Sequence, residues 1–306
     1  MSMTPDQLRA AVARGMLAFP LTDFDADGAF DKKSHVARLE WLSSYQPAAL
    51  FMAGGAGEFF SLTPAEYSAV IAAGVGACSG RAPVIASSGY GTRTAIEYVT
   101  EAERQGADGV LLLPPYLTEG SQEGLRAHIT AVCKATRLGI IVYNRANCRL
   151  GADNVARLAG DCPNLIGLKD GVGDIEQLTT VRNALGSRLV FMNGMPTAET
   201  YARSFRGMGV PVYSSAIFNF IPRTALAFYR ALNGGDEATI DRLMKDFFIP
   251  YVRIRNRGAG YAVSIVKAGA AIVGRSAGKV RPPLSDCTAE EIAELRKLIE
   301  AMGPQD

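Results

Sequence analysis

A (β/α)8 barrel followed by a C-terminal helical extension is the fold this sequence predicts. Three observations carry it. Short, continuous apolar runs recur between Gly15 and Ser214, and a helix-period stretch separates each from the next. The runs number eight. After the eighth they stop, and only helical patterns remain. Continuous apolar strands belong to a parallel sheet covered on both faces. Eight strand–helix units in roughly 220 residues is the size of such a barrel. The rival, an open doubly wound sheet, needs a phosphate-binding glycine loop after its first strand, and none is present.

The elements follow in order. Ser2–Arg14 reads as a short amphipathic helix with Thr4 as N-cap and Pro5 at its first position. It has no apolar core, so it is not expected to be a signal peptide. The first strand is expected over Gly15–Thr22. The turn Asp25-Ala26-Asp27-Gly28 lacks the later acidic ligands of a calcium loop. Helix Asp31–Tyr45 leads to strand Ala48–Ala53, and helix Pro64–Cys78 to strand Pro83–Ser87. Helix Thr92–Gln105 leads to strand Gly109–Leu113, and helix Ser121–Thr136 to strand Leu138–Tyr143. Helix Ala152–Ala159 leads to strand Leu165–Lys169, and helix Ile175–Leu185 to strand Leu189–Met192. Helix Thr197–Arg206 leads to strand Val210–Ser214. Helices Pro222–Leu232, Ala238–Val252, Gly260–Val273 and Thr288–Met302 then follow, the last opening on a capping box of Thr288 and Glu291. Residues 1–221 are expected to form the catalytic barrel with its N-terminal helix. Residues 222–306 are expected to form a helical extension packed on it, with no flexible linker between.

Composition narrows the function classes. The 306 residues are 48% hydrophobic and 20% charged, with a formal net charge of +2 and mean hydropathy +0.09. That excludes a disordered chain and gives no sign of a nucleic-acid or membrane partner. No apolar run approaches a membrane span. The five cysteines are scattered and form no C-x-x-C, which argues against a disulfide framework or zinc site and for the reducing cytoplasm. The two histidines, His35 and His128, lie far apart, and no metal-ligand spacing appears.

In a barrel of this kind the chemistry sits at the C-terminal ends of the strands. Those ends carry Pro20-Leu21-Thr22, Gly54-Gly55-Ala56-Gly57-Glu58, Ser87-Ser88-Gly89, Pro114-Pro115-Tyr116, Tyr143-Asn144-Arg145, Lys169-Asp170, Asn193-Gly194-Met195-Pro196 and Ser214-Ser215. Lys169 is the one lysine among them. A strand-end lysine has a plain reading, a stem reaching to solvent. Inside a barrel mouth it is desolvated instead, its pKa falls, and the neutral amine becomes a nucleophile toward ketones. Tyr143 on the adjacent strand is placed to pass protons, although it also reads as a core aromatic. The Gly54–Gly57 turn either precedes a helix tightly or presents bare N–H groups to a carboxylate. Arg145, Arg149, Ser214 and Ser215 read as solvated or strand-ending residues, or as contacts for substrate oxygens.

Gly54-Gly55-Ala56-Gly57-Glu58, Tyr143-Asn144 and Gly167-Leu168-Lys169-Asp170 resemble the dihydrodipicolinate synthase/N-acetylneuraminate lyase superfamily of lysine-dependent aldolases and dehydratases. The resemblance covers essentially the whole chain. Gly57–Leu62, Pro114–Leu117, Val142–Asn147 and Tyr213–Phe220 resemble its decarboxylating sugar-acid dehydratases, which act on a 4-deoxy-5-keto hexarate. The resemblance implies a Schiff base on Lys169, with no metal or organic cofactor. It implies Tyr143 as acid/base and a carboxylate beside the ketone held by Gly54, Gly55, Ala56 and Gly57. Asn144, Arg145, Gly194, Ser214 and Ser215 are the remaining expected substrate contacts. A homotetramer is implied as well. The chain departs from the synthase branch at Gly55 and Ala56, where hydroxyl residues are usual, and at Leu117, where a second tyrosine is usual. Arg149 lies one residue out of step with that branch's carboxylate-binding arginine. Met195-Pro196-Thr197 replaces the acidic sugar contacts of the lyase branch. These departures argue for dehydration with decarboxylation. The alternatives are a class I retro-aldolase or synthase on a pyruvate-type 2-keto-3-deoxy acid and, from another class, a non-catalytic sugar-acid sensor.

Overall fold

The computed structural model describes residues 2–117 and 119–305, so Met1, Thr118 and Asp306 lie outside it. Eight parallel strands close on themselves in sequence order. They are β1 (Leu17–Ala18), β2 (Ala49–Met52), β3 (Val84–Ser88), β4 (Gly109–Leu112), β5 (Gly139–Asn144), β6 (Leu165–Asp170), β7 (Val190–Asn193) and β8 (Val212–Ser215). β1 pairs with both β2 and β8, which closes the ring. The intervening helices are α2 (Lys32–Ser44), α3 (Pro64–Cys78), α4 (Thr92–Arg104), α5 (Gln122–Lys134), α6 (Ala152–Asp161), α7 (Ile175–Leu185) and α8 (Ala202–Gly207), with α1 (Pro5–Val12) ahead of them.

Period-two alternation sorts each strand into two faces. Phe51, Ile85, Leu111, Ile141 and Met192 point into the barrel; Leu50, Met52, Ala86, Leu112 and Val142 point out against the helices. The helix α1 packs against β5 and β6, and its Leu8 and Val12 are fully buried in the interior cluster. Each contributes about 1.5–3 kcal/mol of burial at the end of the barrel away from the site. Capping boxes start α1 (Thr4 with Gln7) and α3 (Thr63 with Glu66), each with proline in the first turn.

Three expected elements differ. The first strand shrinks to Leu17–Ala18 because Pro20 has no N–H and the Asn219 side chain takes the neighbouring backbone. Asn219 Nδ2 donates to the Phe19 carbonyl at 2.9 Å, and the Leu21 N–H donates to Asn219 Oδ1 at 3.1 Å. The helix expected from Thr197 splits into a 3-10 turn over Ala198–Tyr201 and α8, with Thr197 itself at φ +50°. The helix expected over Ala238–Val252 becomes α10 (Glu237–Leu243), a π turn (Met244–Phe248) and α11 (Ile249–Arg255). Pro250 supplies the reason: it cannot donate to the preceding turn, and the wider π turn accommodates the loss.

The extension consists of α9 (Pro222–Gly234), α10, α11, α12 (Tyr261–Ile272) and α13 (Ala289–Ala301), the last opened by the Thr288–Glu291 capping box. The chain passes from β8 through a 3-10 turn at Ile217–Asn219 into α9. A buried ion pair joins extension to barrel. Lys267 Nζ of α12 lies 2.8 Å from Glu58 Oε1, after β2. Glu58 Oε2 also accepts the Arg281 N–H at 2.9 Å. Beside this pair, Asp23 takes a fork from Arg38 and a contact from His35, all three buried. Asp25 closes its own turn through the N–H groups of Asp27 and Ala29. Among the described residues no helix is long and apolar enough to cross a membrane, and no cluster of three His, Cys, Asp or Glu is gathered to hold a metal. The five cysteines are all free and buried.

Candidate active site

The register of β5 on β6 sets Tyr143 directly beside Lys169. Alternation turns both inward, so Asn144 and Asp170, the next pair in the same register, turn outward. Lys169 Nζ sits 4.1 Å from the Tyr143 ring centroid and 4.3 Å from that of Phe19. The amine is thus held between two aromatic faces. Burial first, and then the positive charge of Arg145, push its pKa down to about 7. At neutral pH about half of Lys169 is therefore free amine, against roughly one part in a few thousand for an ordinary lysine.

Tyr143 is 7% exposed. Its hydroxyl donates to the Gly194 carbonyl at 2.7 Å and accepts from Arg145 Nη1 at 3.0 Å. Burial pushes its pKa up, and Arg145 pulls against that. Gly194 is glycine for steric reasons. A Cβ there would stand 2.8 Å from Lys169 Cγ, 2.8 Å from Tyr143 Cε2 and 2.9 Å from the Asp170 carbonyl.

These groups open into a cavity of about 310 Å³. Lys169, Tyr143, Arg145, Gly194, Ser214, Gly55 and Ala56 line it. The other expected contacts are placed elsewhere. Gly54 is pressed on the Phe19 ring, where a Cβ would meet Cδ1 at 2.4 Å, and Gly57 packs on the Ala53 backbone and the Pro20 carbonyl. Both shape the turn and neither faces the cavity. Asn144 does not face it either: Nδ2 donates to Asp170 Oδ1 at 2.9 Å, and Oδ1 accepts the Leu150 N–H at 2.9 Å. Ser215 points outward and donates to the buried carboxyl of Glu199. Arg149 is exposed and outside the cavity lining. Tyr116 and Leu117 are exposed at 83% and 59%.

Sequence reasoning missed part of the wall. Arg255, at the end of α11, and Thr197 line the cavity, and Arg255 Nη1 donates to Thr197 Oγ1 at 2.6 Å. Leu284 and Val263 of the extension line it too. Strand ends point to βα loops only, so nothing in Val252–Arg257 singles out Arg255 among its neighbouring arginines. Glu199, also missed, is buried beneath this wall, and its burial pushes it up to about 7. The lining thus holds one amine and two guanidinium groups, and among the described residues no carboxylate.

The chain belongs to the dihydrodipicolinate synthetase family, whose model matches residues 12–302. Its fold is shared with the crystal structure of dihydrodipicolinate synthase from Oceanobacillus iheyensis, at 26% identity and TM-score 0.87, covering 96% of this chain and 99% of that one. Much nearer in sequence is a "probable 5-dehydro-4-deoxyglucarate dehydratase" of Ectopseudomonas mendocina, 57% identical over 99% of this chain and 100% of that protein. The 5-dehydro-4-deoxyglucarate dehydratase of Pseudomonas putida is 55% identical over the same shares.

Proposed function

We propose that this chain is a decarboxylating dehydratase, converting 5-dehydro-4-deoxy-D-glucarate to 2,5-dioxopentanoate, water and carbon dioxide through a Schiff base on Lys169. The observation that carries it is the cavity itself. A buried, partly neutral lysine stands beside a phenol, and Arg255, in a lining that holds no carboxylate among the described residues, suits a substrate with a second negative charge away from the ketone. The full-length likeness to relatives bearing that name selects the substrate.

In this reading the carboxylate next to the ketone rests on the Gly55–Ala56 backbone, and Arg255 and Ser214 take the far end. Lys169 adds to the C5 carbonyl, and loss of water gives an iminium. The iminium acidifies C4, whose proton leaves to the Tyr143 oxygen, forming an enamine. The enamine expels the C3 hydroxyl as water with the Tyr143 proton, leaving a conjugated iminium. The C1–C2 bond then breaks, and its electrons run through C2–C5 to nitrogen as carbon dioxide departs. The C2 enol tautomerises with its proton passing to C3, protonation at C4 turns the enamine back into an iminium, and hydrolysis of that iminium releases the dioxo acid and Lys169. One cationic nitrogen serves as electron sink for both eliminations, so the reading assigns no metal or organic cofactor. A homotetramer in the cytoplasm completes the reading; light scattering tests the assembly.

The test is to incubate the protein with 5-dehydro-4-deoxyglucarate. Carbon dioxide and 2,5-dioxopentanoate are expected in equal amounts; pyruvate as product overturns the reading in favour of aldol cleavage. Borohydride with substrate is expected to add mass at Lys169 alone.

A further inference from the structure

Arg145 was expected among the substrate contacts, yet its geometry serves the catalytic pair. It stands two residues after Tyr143, and a tight turn brings it back. The Cys148 N–H donates to the Arg145 carbonyl at 2.9 Å, and Ala146 between them adopts φ +47°, a left-handed backbone that costs a non-glycine residue of order 1 kcal/mol. The turn lays the guanidinium beside the phenol, its carbon 5.8 Å from the ring centroid and Nη1 3.0 Å from the hydroxyl. Arg145 is itself exposed, and among the described residues no carboxylate pairs with it, so the Tyr143 hydroxyl is the group its guanidinium is seen to hold.

We propose that Arg145 is a positioning residue for the Tyr143–Lys169 pair, one charge set against the phenol that steadies the phenolate whenever the phenol gives up its proton and disfavours an ammonium beside it. This rests on the Schiff-base reading above. The signs follow from Coulomb's law. A guanidinium disfavours a nearby ammonium and favours a nearby phenolate. Both directions are found: Arg145 adds to burial in lowering Lys169, and opposes burial in Tyr143. The other charges facing the pair are few. Asp170, outward on β6, pushes Tyr143 up and is itself held by Asn144 and the Gly173 N–H. The step it assists balances. As the carbinolamine C–O bond breaks, the nitrogen lone pair forms C=N, and the Tyr143 proton leaves on water. The phenolate left under Arg145 then takes the C4 proton, and those C–H electrons form C4=C5.

The experiment uses pyruvate, a keto acid with no second carboxylate, trapped by cyanoborohydride between pH 5.5 and 8.5 and read by intact mass. The native protein is expected to label with a midpoint near the Lys169 pKa of about 7. R145Q is expected to move that midpoint up, so that labelling at pH 6 falls below the native level. R145K keeps the charge and is expected to keep the midpoint; a shift equal to that of R145Q overturns the charge argument. An unmoved midpoint in R145Q, with a raised KM for 5-dehydro-4-deoxyglucarate, also overturns it and makes Arg145 a grip for the far carboxylate. No labelling of the native protein at any pH overturns the Schiff-base reading, and this inference with it.

Discussion

Replacing Gly194 by alanine tests whether the spacing of Lys169 and Tyr143 sets the rate. The added methyl would lie 2.8 Å from Lys169 Cγ, 2.8 Å from Tyr143 Cε2 and 2.9 Å from the Asp170 carbonyl oxygen. Gly194 does not have a positive φ, so the conflict is purely one of space. The Asp170 carbonyl cannot yield easily, because it is backbone and accepts the Gly194 N–H at 2.6 Å. The lysine stem and the tyrosine ring must move instead. Overpacking of this kind costs about 1–3 kcal/mol of stability. A displacement of about 1 Å at the reacting groups costs roughly 10²-fold in rate, near 2.7 kcal/mol in the barrel mouth. The assay is carbon dioxide release from 5-dehydro-4-deoxyglucarate, with urea unfolding alongside. Gly76→Ala is the control. It lies in α3 with open space around its would-be Cβ, and is expected to gain about 0.5–1 kcal/mol with unchanged turnover. Native kcat/KM in Gly194→Ala would refute the argument.

Three further outcomes are expected. Tyr143→Phe keeps the ring 4.1 Å from Lys169 and loses only the hydroxyl. Pyruvate should still label Lys169 under cyanoborohydride while turnover falls roughly 10²–10⁴-fold, and an unchanged turnover removes Tyr143 from the proton path. Glu199 is raised by burial from 4.5 to about 7 when folded, so the folded state binds the extra proton and its stability falls as pH rises between those values. Urea unfolding should show about 3 kcal/mol of that loss above pH 7 in the native protein and none of it in Glu199→Gln, which keeps an acceptor for Ser215; equal slopes would sink the assignment. Lys267→Met leaves the Glu58 carboxylate buried without its 2.8 Å partner and should destabilise by about 3–5 kcal/mol. Adding Glu58→Gln should recover most of that, and a single variant as stable as the native chain would show the pair to be solvated.

The barrel was legible because its signals are local. Apolar runs, N-caps such as Thr4 and Thr288, and the proline at position 5 are all read within one turn or one strand. Lys169 was legible for a related reason: a lysine ending an apolar strand has no water to reach inside a barrel. The same alternation that turns Lys169 and Tyr143 inward also sends Asn144 and Ser215 outward. That signal was present in the sequence; a list of strand-end residues ignores it. Pro250 likewise marked the break between α10 and α11. The short first strand was harder to foresee, because Asn219, 200 residues away from Phe19, replaces the strand partner there.

The rest of the site depends on contacts that no window of sequence contains. Arg255 reaches the cavity only because α11 lies over the barrel mouth, where Thr197 holds it across 58 residues. Glu58 closes the glycine turn after β2, yet its carboxylate is satisfied by Lys267 and the Arg281 N–H, both from the extension. The turn that presents Gly55 and Ala56 is therefore anchored at its far end by α12. A buried pair of this kind adds little net stability over an apolar pair, since desolvation offsets the attraction. What it supplies is position: Lys267 and the Arg281 N–H fix the Glu58 carboxylate in the interior, and with it the end of the turn. The extension thus acts as one wall of the site and as the clamp on another, which explains why a cavity made at strand ends cannot be read from strand ends alone.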